Sequence, residues 1–228
     1  MTRRIEPTLY QRSTLVRPPR HTQVAGCRWL VIMAKSPEAG RVKTRLGREV
    51  GSVTATGFYR AASQAVIRRL SRDSRWQTVV SIAPDVDICR PYWPSPVWRM
   101  RQGAGDLGVR MQRIMAQLPP GPVVLMGTDI PAVRPAHIWQ AFQLLGDADV
   151  VFAPAEDGGF WLAGQRRVPR VIDAFRDAEW STPQTLAGIR SNLSRFVIAD
   201  APTLSDVDSA EELAGVAGWS GRVVLPVI

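Results

Sequence analysis

The sequence predicts a single α/β domain, a mostly parallel sheet between two layers of helices. Two observations carry that expectation. Runs of strand length, chiefly RWLVIMA (28–34), VVLMGTD (123–129) and DVVFAPA (149–155), are apolar almost throughout, as strands covered on both faces are. Between them lie stretches with the three-to-four-residue apolar spacing of helices, and strands alternating with helices imply a three-layer α/β/α (Rossmann-like) fold.

The elements follow in order. After the first strand comes the loop AKSPEAGRVKTRLG (34–47), then a helical pattern from Val53 to Leu70 with Phe58, Ala62, Ala65, Val66 and Leu70 on one face. WQTVVSIA (76–83) reads as a second strand ended by Pro84, and VWRMRQ (97–102) as a short third. GAGDLG leads into a helix, LGVRMQRIMAQL, which stops at Pro119–Pro120 because proline cannot continue it. VVLMGTD is broken by Pro131, and a helix follows to about Leu145. After DVVFAPA come a turn, EDGG (156–159), and the strand FWLAG. A helix near 183–192, a strand RFVIA (195–199) and a last helix begun in SDVDSAEELAGVA complete the chain, with Asp or Ser as its cap.

Composition narrows the classes of function. At 228 residues and 45% hydrophobic, the chain can bury a full core. No apolar run approaches a membrane span. The formal charge of +9 is partly local: residues 1–27 hold Arg3, Arg4, Arg12, Arg17 and Arg20 against Glu6. That segment reads as a basic, disordered N-terminal extension, and 28–228 as the single folded domain. The rest of the charge is dispersed, with no aromatic-interleaved basic stripe, so no specific nucleic acid is expected. Cys27 and Cys89 have no metal or disulfide spacing, which suits reduced thiols of a cytoplasmic protein.

In parallel sheets, ligands sit beyond the carboxyl ends of the strands, so the loops there hold the candidate residues. The first loop contains Lys35 and Lys43, the only lysines among 29 basic residues. Gly40 permits a tight turn, and Lys43, Thr44 and Arg45 offer a point charge, a hydroxyl and a planar fork to phosphate; a solvated basic turn is the alternative. A Walker A loop is disfavoured, because Val42 stands where glycine is needed. Asp129 follows the strand VVLM, where a carboxylate can hold Mg²⁺ or merely cap the next helix. Asp208, and less so Asp206, can be a second ligand or a cap of the last helix. Gly103, Gly105 and Gly108 spell G-x-G-x-x-G, but after a short, arginine-bearing strand. A loop lining a nucleotide pocket, with Asp106 and Arg110 as polar contacts, suits them better than dinucleotide binding. Glu156, Asp157, Gly158 and Gly159 form a substrate-recognition turn or an ordinary β-turn. Two histidines, His21 and His137, give acid–base catalysis little material. Positioning and charge neutralisation fit better.

Taken together, AKSPEAGRVKTRLG, QGAGDLGVRM, LMGTDIPAV and VFAPAEDGGFWLAG resemble an uncharacterised bacterial group of GT-A-like transferases. Its members are called radical-SAM-associated transferases or glycosyltransferases, and the group is similar to 2-phospho-lactate guanylyltransferases. DVDSAEELA resembles the group's closing motif. The resemblance implies the nucleotide-diphospho-sugar transferase fold, a nucleotide (NTP or NDP-sugar) bound by the first loop, Mg²⁺ or Mn²⁺ held by Asp129, and a small-molecule acceptor. Position 127 is Gly, whereas GT-A glycosyltransferases carry an Asp-x-Asp pair there, which favours nucleotidyl over glycosyl transfer. A nucleotide-binding regulator without catalysis is the reading from another class.

Overall fold

The computed structural model of the chain describes residues 10–11, 14–15, 27–94, 97–168 and 170–216. Its elements are β1 (Tyr10–Gln11), β2 (Thr14–Leu15), β3 (Trp29–Lys35), α1 (Thr44–Val50), α2 (Ser52–Ser71), β4 (Gln77–Ala83), β5 (Trp98–Arg101), α3 (Leu107–Gln117), β6 (Val123–Met126), α4 (Pro135–Leu144), β7 (Val150–Pro154), β8 (Phe160–Gln165), α5 (Thr185–Asn192), β9 (Ile198–Asp200) and α6 (Ala210–Ala214).

They assemble one sheet in the order β2-β1-β5-β4-β3-β6-β8-β7-β9. Strand β3 lies at its centre, parallel to β4 on one side and β6 on the other. Strand β5 extends the parallel run beyond β4. Strand β8, reached from β7 by a tight turn, is antiparallel to both its neighbours, and β9 rejoins parallel to β7. The sheet of the body is therefore mixed and mostly parallel, with helices on both faces.

The continuous apolar runs are explained by that sandwiching. Leu30, Ile32 and Ala34 of β3 face Val66, Ile67 and Leu70 of α2 and Ile138, Ala141 and Phe142 of α4. Trp29 and Val31 face the opposite layer, with Ile114 and Met115 of α3 and Leu186 and Ile189 of α5. A strand side-chain period of two thus feeds two cores from one strand. Helix α2 buries Ala55, Phe58, Tyr59, Ala62, Ser63, Val66, Ile67 and Leu70; of the expected stripe only Ala65 is not fully buried, and the buried face is wider and begins a turn earlier.

The structure departs from the sequence expectation at several ends. Helix α1 has no counterpart in the sequence reading. Gly47 at its middle obscures it, since glycine disfavours a helix interior; a Cβ there would meet Ser52 Cα at 3.5 Å, an ordinary contact. Strand β6 stops at Met126, leaving Gly127, Thr128 and Asp129 in a loop. Strand β9 begins at Ile198 instead of Arg195. In the N-terminal segment, β1 and β2 pair with each other and Tyr10 pairs opposite Arg99 of β5. Those four residues are ordered into strands, where the sequence predicts a disordered extension; the remainder of residues 1–26, His21 included, lies outside the described residues. Among the described residues, no helix is long and apolar enough to cross a membrane.

Candidate functional site

The strand order reverses between β3 and β6. The chain builds outward from β3 through β4 and β5, then returns to lay β6 on the other side of β3. The crevice beyond the carboxyl ends at such a reversal is where α/β sheets present ligands. Two of the loops that the sequence singles out, 35–45 and 128–131, open from it.

Lys43 and three aspartates meet there. The Lys43 ammonium lies 2.7 Å from Asp208 Oδ1, 3.1 Å from Asp129 Oδ2 and 3.8 Å from Asp206 Oδ2. Its side chain is 2% exposed, whereas those of Asp129, Asp206 and Asp208 are 43%, 51% and 35% exposed. Arg45 approaches Asp208 at 3.8 Å from the solvent side. Burial disfavours the Lys43 ammonium, but the charge of Asp129 and the hydrogen bond and charge of Asp208 outweigh it and raise the pKa above 10.5. Asp206 is also raised, first by burial and then by Asp208, with Asp129 adding to the repulsion against Lys43's opposing pull.

The capping alternatives can be decided from the helix ends. Helix α4 is preceded by Arg134, whose N–H donates to His137 Nδ1 at 3.2 Å, and has proline at its start; Asp129 lies five residues earlier and does not cap this helix. Helix α6 is capped by Ser209, whose hydroxyl accepts from Glu212 N, and Glu212 reaches back to the amides of Asp208 and Ser209. The capping chemistry of this segment is thus done by Ser209 and Glu212, which leaves the Asp208 carboxylate free to meet Lys43.

Beside the cluster, a cavity of about 490 Å³ is lined by Lys35, Ser36, Glu38, Arg41, Ala83, Pro84, Asp85, Gly103, Ala104 and Arg110. Its floor is the ends of β3 and β4, and its far wall is the glycine loop after β5. That loop is held from several directions. Gly103 N donates to Asp85 at 3.0 Å, Arg113 donates to the carbonyls of Gln102 and Ala104 at 2.7 Å each, and Arg110 Nε donates to Gly105 O at 2.7 Å. Gly103 has φ +75° and Gly105 φ +113°, a backbone that glycine tolerates best. Three cations against two acids leave this wall positive, as a phosphate-bearing ligand needs.

Tyr59 joins the cavity to the cluster. Its hydroxyl accepts from Lys35 N at 2.9 Å and donates to Lys35 O at 3.1 Å. Thr128 Oγ1 stands 3.1 Å from it and 3.3 Å from Asp129 Oδ1. Burial, and then the charge of Asp129, push the phenol up to about 12, so the hydroxyl keeps its proton as a donor.

The sequence-predicted residues thus separate into groups. Lys43, Asp129, Asp208 and Arg45 come together in the cluster; Lys35 and Gly103 line the cavity. Gly40 shapes the loop with φ +78°, while Thr44 opens α1 and Gly105 is not among the lining residues. Asp106 is a helix cap, accepting from Val109 N at 2.8 Å, so its carboxylate is engaged by backbone. The Glu156–Gly159 turn is held by other contacts: Asp157 accepts from Gly159 N, Leu186 N donates to Gly158 O, and Ser205, next to Asp206, donates to Glu156 at 3.1 Å. Sequence reasoning missed Arg41, Asp85 and Tyr59. Arg41 sits in the basic loop already singled out, and Tyr59 is a hydroxyl within the apolar stripe of α2; either could have been flagged on that ground.

Magnesium takes hard oxygen ligands, often one or two carboxylates completed by phosphate and water. The donor set here is of that chemistry: Asp129 and Asp208 converge on one cation, the Lys43 ammonium, and keep solvent-facing oxygens. Among the described residues no group of three or more His, Cys, Asp or Glu side chains is placed to hold a metal ion by itself.

Comparison with known proteins agrees with this fold. The bacterial family DUF2064, described as "Uncharacterized protein conserved in bacteria", matches residues 66–182. A protein of Desulfovibrio desulfuricans G20, provisionally designated a nucleotide-diphospho-sugar transferase, is 30% identical, with a TM-score of 0.71 over 80% of this chain and 82% of that one. CMP:2-keto-3-deoxy-manno-octonic acid synthetase, solved with CTP, is 14% identical, with a TM-score of 0.54 over 84% and 97% of the chains. Glucosyl-3-phosphoglycerate synthase of Mycobacterium tuberculosis, solved with Mn²⁺, UDP and glucosyl-3-phosphoglycerate, is 13% identical, with a TM-score of 0.51 over 91% and 83%. These last two share the fold. No curated protein matches the chain.

Proposed function

The chain belongs to the DUF2064 family and has the fold of nucleotide-diphospho-sugar transferases, and from that premise we propose that it is a cytoplasmic, Mg²⁺-dependent nucleotidyltransferase. The observation that carries this reading is the pairing of a carboxylate cluster, Asp129 with Asp208, with a cation-lined cavity at the reversal of strand order. Its kinship with radical-SAM-associated transferases and 2-phospho-lactate guanylyltransferases is part of the proposal.

In the proposed reaction an acceptor oxygen, from a phosphate or carboxylate, attacks the α-phosphorus of an NTP. The bond from that phosphorus to the bridging oxygen breaks, and pyrophosphate leaves with the electron pair. Lys35, Arg41 and Arg110 hold the phosphates and neutralise them. Asp129 and Asp208 would hold Mg²⁺, or Mn²⁺ in its place. When bound, that ion would add charge neutralisation and orientation. Lys43 and Arg45 set the position and charge of the carboxylates, and Tyr59 fixes the end of β3 beneath the cavity. The chain's part is positioning and electrostatics, with no side-chain proton shuttle required. The Glu156–Gly159 turn is assigned to the acceptor side.

Glycosyl transfer from an NDP-sugar is the second reading, favoured by the designation of the Desulfovibrio protein. A thermal-shift screen of NTPs and NDP-sugars with Mg²⁺ separates them, since a ligand at 100 times its Kd stabilises by about 2.7 kcal/mol. Stabilisation by an NTP, followed by pyrophosphate release with an acceptor, is expected. Stabilisation by NDP-sugars alone, with NDP release, would establish the second reading, and binding without turnover would make the protein a regulator.

A further inference from the structure

Lys43 is an odd member for a metal centre. Its ammonium touches Asp208 at 2.7 Å and Asp129 at 3.1 Å, with Asp206 at 3.8 Å, and its side chain is 2% exposed while the carboxylates are open to solvent. It therefore fills the inner focus of the cluster. Its backbone is left-handed, with φ 45° and ψ 50°, a conformation that side-chain-bearing residues adopt uncommonly and at a cost. The ion pairs help to hold it there. Nothing in a mere phosphate-binding lysine calls for three carboxylates around its nitrogen.

The geometry points to Lys43 as a resident counter-cation, which keeps the carboxylates closed to free divalent ions and yields them when a phosphate ligand arrives. The inference rests on reading Asp129 and Asp208 as metal ligands. A divalent ion arriving alone must take over carboxylates already paired, and it strands a buried ammonium, which is strongly unfavourable. An ion arriving with a pyrophosphate group brings anionic oxygens that give the ammonium a new partner. Lys43 can follow them because lysine is a compact charge on a flexible stem. Ion and phosphate then bind with positive coupling, and each tightens the other by the same factor. A free metal ion would not occupy the resting protein.

The test is a Mn²⁺ titration of the full chain, read from the loss of the free-ion paramagnetic resonance signal, so that activity plays no part. Wild type, Lys43→Met and Lys43→Gln are titrated with Mn²⁺ alone, and wild type again with inorganic pyrophosphate. The account predicts that both variants bind free Mn²⁺ at least tenfold more tightly than wild type, and that pyrophosphate tightens Mn²⁺ on wild type by a similar factor. Equal affinity of wild type and variants for free Mn²⁺ overturns the inference. Should the methionine variant fail to fold, glutamine retains a polar donor of similar reach. The wild-type arm also stands alone: Mn²⁺ bound equally well with and without pyrophosphate refutes the coupling. If the variants bind free Mn²⁺ but wild type takes none even with pyrophosphate or any NTP, Lys43 still closes the carboxylates to free ions, whereas the coupling and the nucleotide reading of the site both fail.

Discussion

Replacing Tyr59 with phenylalanine deletes one oxygen and keeps the ring in its place in α2. That oxygen accepts from Lys35 N, donates to Lys35 O and stands within hydrogen-bond reach of Thr128. Tyr59 is 5% exposed, so water does not readily replace the lost group. Thr128 can turn to Asp129 Oδ1 at 3.3 Å, which leaves Lys35 N as the donor without a partner. A buried donor so stranded costs roughly 1–3 kcal/mol. For a chain of this size each kcal/mol lowers Tm by about 2–4 °C, giving a fall of roughly 2–12 °C. Lys35 ends β3 and lines the cavity, so its freed backbone should also weaken Mg²⁺–nucleotide binding several-fold. Differential scanning fluorimetry reads the first effect and isothermal titration the second. A variant with unchanged Tm and unchanged nucleotide affinity would refute the positioning role of the hydroxyl.

Other substitutions probe the remaining parts. Gly158→Ala should lower Tm by several degrees, because a Cβ there would come within 2.0 Å of Pro183 O at a backbone φ of +83°; a wild-type melting curve would show that the turn is free to move. Lys43→Arg should lower nucleotide affinity and stability together, since a planar guanidinium does not fit a focus 2% exposed, and full function in that variant would contradict the choice of lysine. Deleting residues 1–25 removes β1 and β2, which touch the body through one strand pair; Tm and nucleotide binding should hold, and a large fall in Tm would show that the segment docks. Asp149 is held below the usual carboxylate range, first by Val197 N and then by Arg166 against some burial. Its contribution is therefore present above its unfolded pKa of about 3.9 and is lost as pH falls through the depressed folded value. Asp149→Asn should flatten the acid limb of a stability-against-pH curve, and an unaltered limb would remove Asp149 from that account.

The layers of the fold were legible because strands buried on both faces must be apolar on both. RWLVIM and VVLM could hardly be anything else, and their alternation with helical stripes fixed the class. The antiparallel place of β8 was not legible, since FWLAG is as apolar as a parallel strand and only its tight turn from β7 sets its direction. Helix α1 was hidden by Gly47, whose low helical propensity breaks the local pattern. At the site, the basic loop, Asp129 and Asp208 stood out by residue type. Their meeting did not, because Lys43 and Asp208 lie 165 positions apart and no local pattern links them. The same limit explains Tyr59, which reads as one more core residue until the loops around it are placed. Asp106 carries a role that residue type alone did not single out: one of its oxygens caps the helix that starts there.

The account centres on Asp129 as a metal ligand, and Asp129→Asn tests that most directly. The substitution keeps the side chain's shape and one neutral oxygen but removes the charge. Asn and Asp cap helices about equally well, and Asp129 caps none here, so the fold should be retained. Wild type and variant are titrated with the NTP that the thermal screen selects, with and without Mg²⁺. The account predicts that Mg²⁺ tightens binding to wild type and has almost no effect on Asp129→Asn, while metal-free binding stays nearly the same in both. An intact Mg²⁺ response in the variant would contradict it.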